Sequence, residues 1–132
     1  MPGSDNFFSP RWSPDGKALA AFTGDSKKLV LFDFRTQKWT ELVTSEAGSI
    51  ASLDWSRDTQ YLYYDMHSAD SSTLQRVRVS DKRVETVVDW TGLHRFIEPH
   101  VGPWSGLAPD GSALFVRDLS SDEVYVLDLQ LP

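Results

Sequence analysis

A turn that recurs in phase constrains this chain more than any other feature. Trp12-Ser13-Pro14-Asp15-Gly16 returns as Trp55-Ser56-Arg57-Asp58-Thr59 and again as Leu107-Ala108-Pro109-Asp110-Gly111, at intervals of 43 and 52 residues. The Pro-Asp-Gly form has a physical reason: Pro fixes φ, Asp bonds its own backbone, and Gly accepts a positive φ. After each turn comes a short apolar run: Ala18-Leu19-Ala20-Ala21-Phe22, Tyr61-Leu62-Tyr63-Tyr64 and Ala113-Leu114-Phe115-Val116. Each is too short for a helix and lacks helical periodicity, so each reads as a strand covered on both faces.

A second strand follows each time: Leu29-Val30-Leu31-Phe32-Asp33-Phe34, Leu74-Gln75-Arg76-Val77-Arg78-Val79 and Val124-Tyr125-Val126-Leu127-Asp128-Leu129. Tight turns lead on to Lys38-Trp39-Thr40-Glu41-Leu42-Val43 and Arg83-Val84-Glu85-Thr86-Val87-Val88. One further strand precedes each Trp or Leu, at 7–13, 50–56 and 103–108. Four short strands per repeat, at a period of about 40 to 45 residues, are the signature of a propeller blade.

The expected fold class is therefore all-β: three four-stranded antiparallel β-propeller blades, the last incomplete. They form one segment over 1–132, with repeats at about 7–44, 48–89 and 101–130 and a long connection at 90–102. The structural repeat positions are Trp12, Asp15, Gly16, Trp55, Asp58, Leu107, Asp110 and Gly111. Turn geometry accounts for the aspartates, and packing between blades accounts for Trp12 and Trp55 better than a ligand platform does.

Ser9-Pro10-Arg11-Trp12-Ser13-Pro14-Asp15-Gly16-Lys17-Ala18-Leu19-Ala20, continued by Phe32-Asp33-Phe34-Arg35-Thr36, resembles the TolB-like propeller repeat, a relative of the WD repeat. The second copy departs from that pattern at Arg57 and Thr59, and the third has Leu107 for Trp. More narrowly, the residues from Leu31 to Trp39 and from Gly102 to Gly111 resemble the C-terminal propeller part of bacterial winged-helix regulators. The closing Leu127-Asp128-Leu129-Gln130-Leu131-Pro132 looks like a chain end of that group. The resemblance implies a sensory or interaction module. It does not carry DNA binding over, because none of these residues belongs to the DNA-binding domain of that group.

Apolar residues make up 40% and charged residues 24% of the chain, as in ordinary globular domains rather than disordered ones. The net charge is −6, and no Lys or Arg run exceeds Lys27-Lys28, which argues against a grip on a nucleic-acid backbone through this segment. No apolar run approaches the length of a membrane span, and Met1-Pro2-Gly3-Ser4-Asp5-Asn6 has neither the basic nor the apolar region of a signal peptide. With no cysteine, disulfides and thiolate metal sites are excluded, while bacterial cytoplasm and periplasm both stay open.

Chemistry is sparse. Gly102-Pro103-Trp104-Ser105-Gly106 superficially suggests a nucleophile elbow, but it is Gly-x-x-Ser-Gly in a β context with no following helix. Gly24-Asp25-Ser26-Lys27 lacks the spacing of a phosphate-binding loop. His94 and His100 flank Glu98, yet nothing in the sequence makes them converge on a metal, and solvated loop histidines are the default. The expectation is a chain with no enzymatic activity, cofactor or metal, acting as a protein-interaction, ligand-sensing or assembly module. The alternative is the non-catalytic propeller of a peptidase-like serine hydrolase.

If there is a binding face, the long connection marks it, since insertions in repeat proteins map to one face. In an up-and-down blade it emerges beside the loops 23–28, 66–73 and 119–122, which makes His67, His94, Arg95, Glu98 and His100 the candidate groups. The expected partners are a second copy of the chain and, beyond that, another protein. Three blades cannot close a ring that needs about four to eight, so two copies giving six blades are favoured. Phe22, Leu31, Leu114, Phe115 and Tyr125 are the residues expected on the uncovered end faces. Far-UV circular dichroism is expected to show a β spectrum, and a substantial helical signal would contradict the repeat reading.

Overall fold

The computed structural model describes residues 3–95, 97–98 and 102–121, the backbone alone at 97, 98 and 102. The expected strand at 124–129, with Tyr125, lies outside the described residues. Among them the chain is all-β, with twelve strands and no helix. The first sheet takes its strands in order: β1 (Phe7–Trp12), β2 (Ala18–Thr23), β3 (Lys28–Asp33) and β4 (Lys38–Thr44). The second repeats the pattern with β5 (Ser49–Trp55), β6 (Tyr61–His67), β7 (Ser72–Arg78) and β8 (Val84–Asp89). Neighbouring strands in both are antiparallel. The third repeat is represented by two ladders, β9 (Ile97–Glu98) with β10 (Gly102–Pro103) and β11 (Ser105–Leu107) with β12 (Ala113–Phe115).

The hairpin turns show why the sequence pattern works. Ser13 Oγ donates to Asp15 Oδ1 (2.6 Å) and accepts the Ala18 N–H (2.9 Å), while Asp15 Oδ1 also accepts the Lys17 N–H (3.1 Å). Ser56 and Asp58 repeat this on Gln60 and Tyr61. So do Thr23 and Asp25 on Lys27 and Lys28. A Ser or Thr two residues before an Asp thus satisfies the backbone donors that a tight reversal leaves open. Gly16 sits at φ 70°, and its counterpart Thr59 is held at φ 63°, where a β-branched side chain is strained.

The third turn is built differently. Ala108 has no hydroxyl, and Ser112 supplies the bond to Asp110 instead (2.6 Å). The Ala108 N–H donates to Ser112 O, whereas Ser13 and Ser56 donate to residues five further on, Ala18 and Tyr61. The turn is one residue shorter, so Leu107 pairs with Ala113 where Trp12 pairs with Leu19 and Trp55 with Leu62. A shift of one residue turns every side chain of β12 to the other face. Phe115 therefore packs on Trp90 (ring centroids 5.0 Å), and Leu114 and Val116 point to solvent.

The core lies between the first two sheets. Ala20, Phe22, Leu29, Leu31, Leu42 and Val43 meet Ile50, Leu53, Trp55, Leu62, Tyr64 and Val77. Phe22 and Leu31, expected on an uncovered end face, are in fact buried in this interface, because their positions on β2 and β3 face the second blade. The two repeat tryptophans also part company. Trp55 is 8% exposed, and its Nε1 donates to Arg11 O in the first blade (3.1 Å). Trp12 is 61% exposed and stacks on Phe34 within its own blade (4.9 Å, 2° between planes). The inter-blade role expected of both is thus filled by Trp55.

Two outcomes follow from the turns. Thr59→Gly is expected to stabilise the chain by up to about 1 kcal/mol, the relief of left-handed strain net of glycine's entropy. A lower denaturation midpoint would contradict that. Bonds from Ser13, Ser56 and Ser112 and from nearby N–H groups hold Asp15, Asp58 and Asp110 below the ordinary value of 3.8. A depressed carboxylate contributes stability that is present above its unfolded pKa and lost as pH falls through the folded one. Urea midpoints should therefore be level above pH 5 and fall below about pH 4, less steeply in Asp58→Asn than in the unaltered chain.

Candidate functional site

The β2–β3 turn and the connection 44–49 lie together at one end of the first two blades. The connection 44–49 is bonded down onto the β2–β3 turn: Ser45 N–H donates to Lys27 O (2.7 Å), Ile50 N–H to Ser26 O (2.8 Å) and Lys27 Nζ to Gly48 O (2.7 Å). Gly48 is buried where a Cβ would stand 2.4 Å from His67 O, so only glycine lets the chain pass the end of β6. Gly48→Ala is expected to cost about 1–3 kcal/mol through this clash.

Two hollows open on this face and share His67. The larger, about 910 Å³, runs along the innermost strands and is lined by Phe8, Arg11, Ile50, His67 and Trp104 among others. The smaller, about 340 Å³, lies between the β6–β7 turn and the start of the long connection, with His67, Asp70, Thr91 and His94 on its walls. His67 and His94 are exposed. Glu98 pairs through its backbone with Gly102, its side chain lies outside the described residues, and so does His100.

Arg95 was expected among the exposed recognition groups, and the structure turns it inward instead. It is 8% exposed and binds the fully buried Asp65 of β6 in a two-pronged pair, Nη1 to Oδ1 at 3.0 Å and Nη2 to Oδ2 at 2.9 Å. Trp90 Nε1 donates to the same Oδ1 (3.0 Å), and the guanidinium lies 4.8 Å from the Trp90 ring centroid. Arg95 also donates to Ser72 Oγ (3.1 Å) and to Trp104 O (3.0 Å), so one side chain holds β6, β7 and the third repeat together. Desolvation explains the arrangement: a buried carboxylate must be paired, and the fork of Arg is the best geometric match.

Sequence reasoning missed Asp65, although a lone Asp inside Tyr61-Leu62-Tyr63-Tyr64-Asp65-Met66 signals a buried charge that needs a partner. It also missed Ser52. A bulge at positive φ (53°) turns Ser52 toward the next blade, where Oγ donates to Pro103 O (2.7 Å) and accepts the Ser105 N–H (3.2 Å). Asp54 adds a third link, its Oδ2 accepting the Leu107 N–H (3.2 Å). Ser105, the apparent nucleophile, is 5% exposed and lies within these inter-blade bonds.

Solved structures of the same shape exist. TolB from Acinetobacter baumannii superposes with a TM-score of 0.62 at 17% identity, over 84% of this chain and 26% of that one. The fold is that of a partial β-propeller. The tricorn protease matches with a TM-score of 0.59 at 14% identity, over 80% of this chain and 10% of the protease. Acylaminoacyl peptidase of Pyrococcus horikoshii matches with 0.55 at 14%, over 84% and 25%. At these identities the likeness is one of fold, and the chain spans a small part of each of these proteins. No family model matches the chain, and no curated protein matches it by sequence.

Removing one partner of the Asp65–Arg95 pair leaves the other charge buried and uncompensated. Arg95→Ala and Asp65→Asn are each expected to cost about 3–5 kcal/mol. A loss below about 1 kcal/mol in chemical denaturation, the range of an exposed pair, would contradict the packing described.

Proposed function

We propose that the chain is a non-catalytic propeller segment that recognises another protein or a small ligand through the face where the two hollows meet. The observation that carries this reading is His67, which stands between the hollows and is flanked in the smaller by His94. The face is concave, it mixes aromatic and imidazole groups, and it rests on the buried Asp65–Arg95 pair. Arg95 acts in that support and leaves contact with a partner to its exposed neighbours. The motifs resembling bacterial regulators favour a sensory role, and a location in cytoplasm or periplasm is compatible with it.

A second reading is favoured by the likeness to two peptidases: a non-catalytic propeller that stands beside a serine hydrolase. The coding sequence on either side of this segment discriminates, a winged helix upstream supporting the first reading and a hydrolase domain downstream the second.

A displayed peptide library panned on the chain tests the face itself. Binders are expected to lose at least about tenfold in affinity with His67→Ala or His94→Ala, the range of a contact residue. Val84→Ala and Val87→Ala, on the outer strand β8, should leave affinity unchanged. Equal losses from both pairs would contradict the proposal, as would hydrolysis of ester or peptide substrates that disappears in Ser105→Ala.

A further inference from the structure

Three consecutive repeats line the larger hollow, and equivalent positions in them carry different chemistry. β5 contacts β1 of the first blade and both β10 and β11 of the third repeat. Three residues ahead of the repeat Trp or Leu stand Ser9, Ser52 and Trp104 in turn. Ser9 and Ser52 each sit in a bulge at φ 53°, an irregularity of the kind that re-aims a side chain. In the third repeat the same place carries an indole, 51% exposed, whose ring lies against Gly106, where an added Cβ would meet it at 3.0 Å. Phe8 of β1 is 41% exposed and lines the same cavity. Two exposed rings from different repeats thus border one hollow, with the buried Ile50 and Leu53 of β5 in its wall.

Charges in that wall are few. Arg11 is the one Lys or Arg lining the cavity, and Asp54 is the one carboxylate. Asp54 is already engaged, its Oδ1 accepting the Trp55 N–H (2.9 Å) and its Oδ2 the Leu107 N–H (3.2 Å). Arg11 is exposed, and among the described residues it forms no ion pair. Its Nη1 donates to Pro10 O (3.1 Å), which leaves the fork of Nε and Nη2 unused. Ser105 belongs to the same wall, and its buried Oγ finds no hydrogen-bond partner among the described residues. Buried hydroxyls are seldom left so, and an acceptor arriving in the cavity is the missing element.

We propose that the larger hollow takes a free aromatic monocarboxylate, its ring against Trp104 and Phe8 and its carboxylate in the fork of Arg11. One free guanidinium beside one carboxylate suits a single negative charge, since a dianion would meet Asp54 with only the imidazole of His67 as a further basic group. The volume of about 910 Å³ is that of a small-molecule site. This inference rests on the reading of the face as a recognition surface and names the ligand class of its larger hollow.

Titration of the 132-residue chain with indole-3-acetate, followed by amide and indole NMR shifts, tests it. Binding is expected with a Kd of about 1 mM or tighter, the range for a probe of this size. On the unaltered chain, indole-3-acetamide and cyclohexylacetate should each bind at least about threefold more weakly, the first lacking the charge and the second the ring. Arg11→Gln should weaken indole-3-acetate about fivefold and leave indole-3-acetamide unchanged, while Arg11→Lys recovers part of the loss. Trp104→Ala should weaken the acid and the amide alike, by about three- to tenfold. Equal affinity for the acid and the amide, an Arg11→Gln variant that binds the acid as well as the unaltered chain does, or no binding at all would overturn the proposal. If the acid fails while panned peptides still depend on His67, the ligand class falls and the recognition face stands. The unaltered chain decides between acid and amide even where a variant does not fold.

Discussion

The first two four-stranded sheets share an apolar interface that neither could bury alone, and the rest of the structure follows from the need to cover it. A four-stranded sheet cannot bury its own faces, so blades stack, and each blade's side chains are chosen for the neighbour they meet. Ala20, Phe22 and Leu31 look one way into Leu62, Tyr64 and Val77, while Leu19, Ala21 and Val30 look the other way under a layer of rings. The second blade passes from apolar cover on one side to polar ties on the other. Toward the third repeat it offers Asp65, Ser52 and Asp54, each satisfied by a group from across the junction. The first junction is held by hydrophobic burial and the second by directed bonds around one buried charge.

Much of this was legible beforehand. The strands of the first two repeats fall where the periodicity and turn residues put them, because the hydroxyl and carboxylate of Ser13-Pro14-Asp15 and Ser56-Arg57-Asp58 form the turn from local sequence alone. Less visible was the direction of long side chains. A bare sequence shows Arg95 in a polar loop and gives no sign that Asp65, thirty residues back on a strand, draws it inward.

The third repeat shows a second limit. Its Ala113-Leu114-Phe115-Val116 opens with the same Ala-Leu as Ala18-Leu19-Ala20-Ala21, and the natural inference keeps the register. The register depends instead on Ala108, whose missing hydroxyl leaves Ser112 to close a shorter turn. One methyl group where the other copies have Ser Oγ thus decides which of Leu114 and Phe115 packs against the second blade. Trp12 and Trp55 differ for a non-local reason as well: among the described residues Trp55 lies against the first blade, whereas Trp12 stacks only within its own.

Hydrophobic burial joins the first two blades into one cooperative unit, while the third repeat is attached through the bonds around Asp65. Native-state hydrogen exchange tests this most directly. Amides of β2, β3, β6 and β7 should exchange only through global unfolding. Those of Gly106, Leu107 and Leu114 should exchange through a separate opening of lower free energy, one that vanishes as a distinct step when Arg95→Ala has already released the junction. Equal protection across all three repeats, or greater protection in β11 and β12 than in β2 and β6, would contradict it.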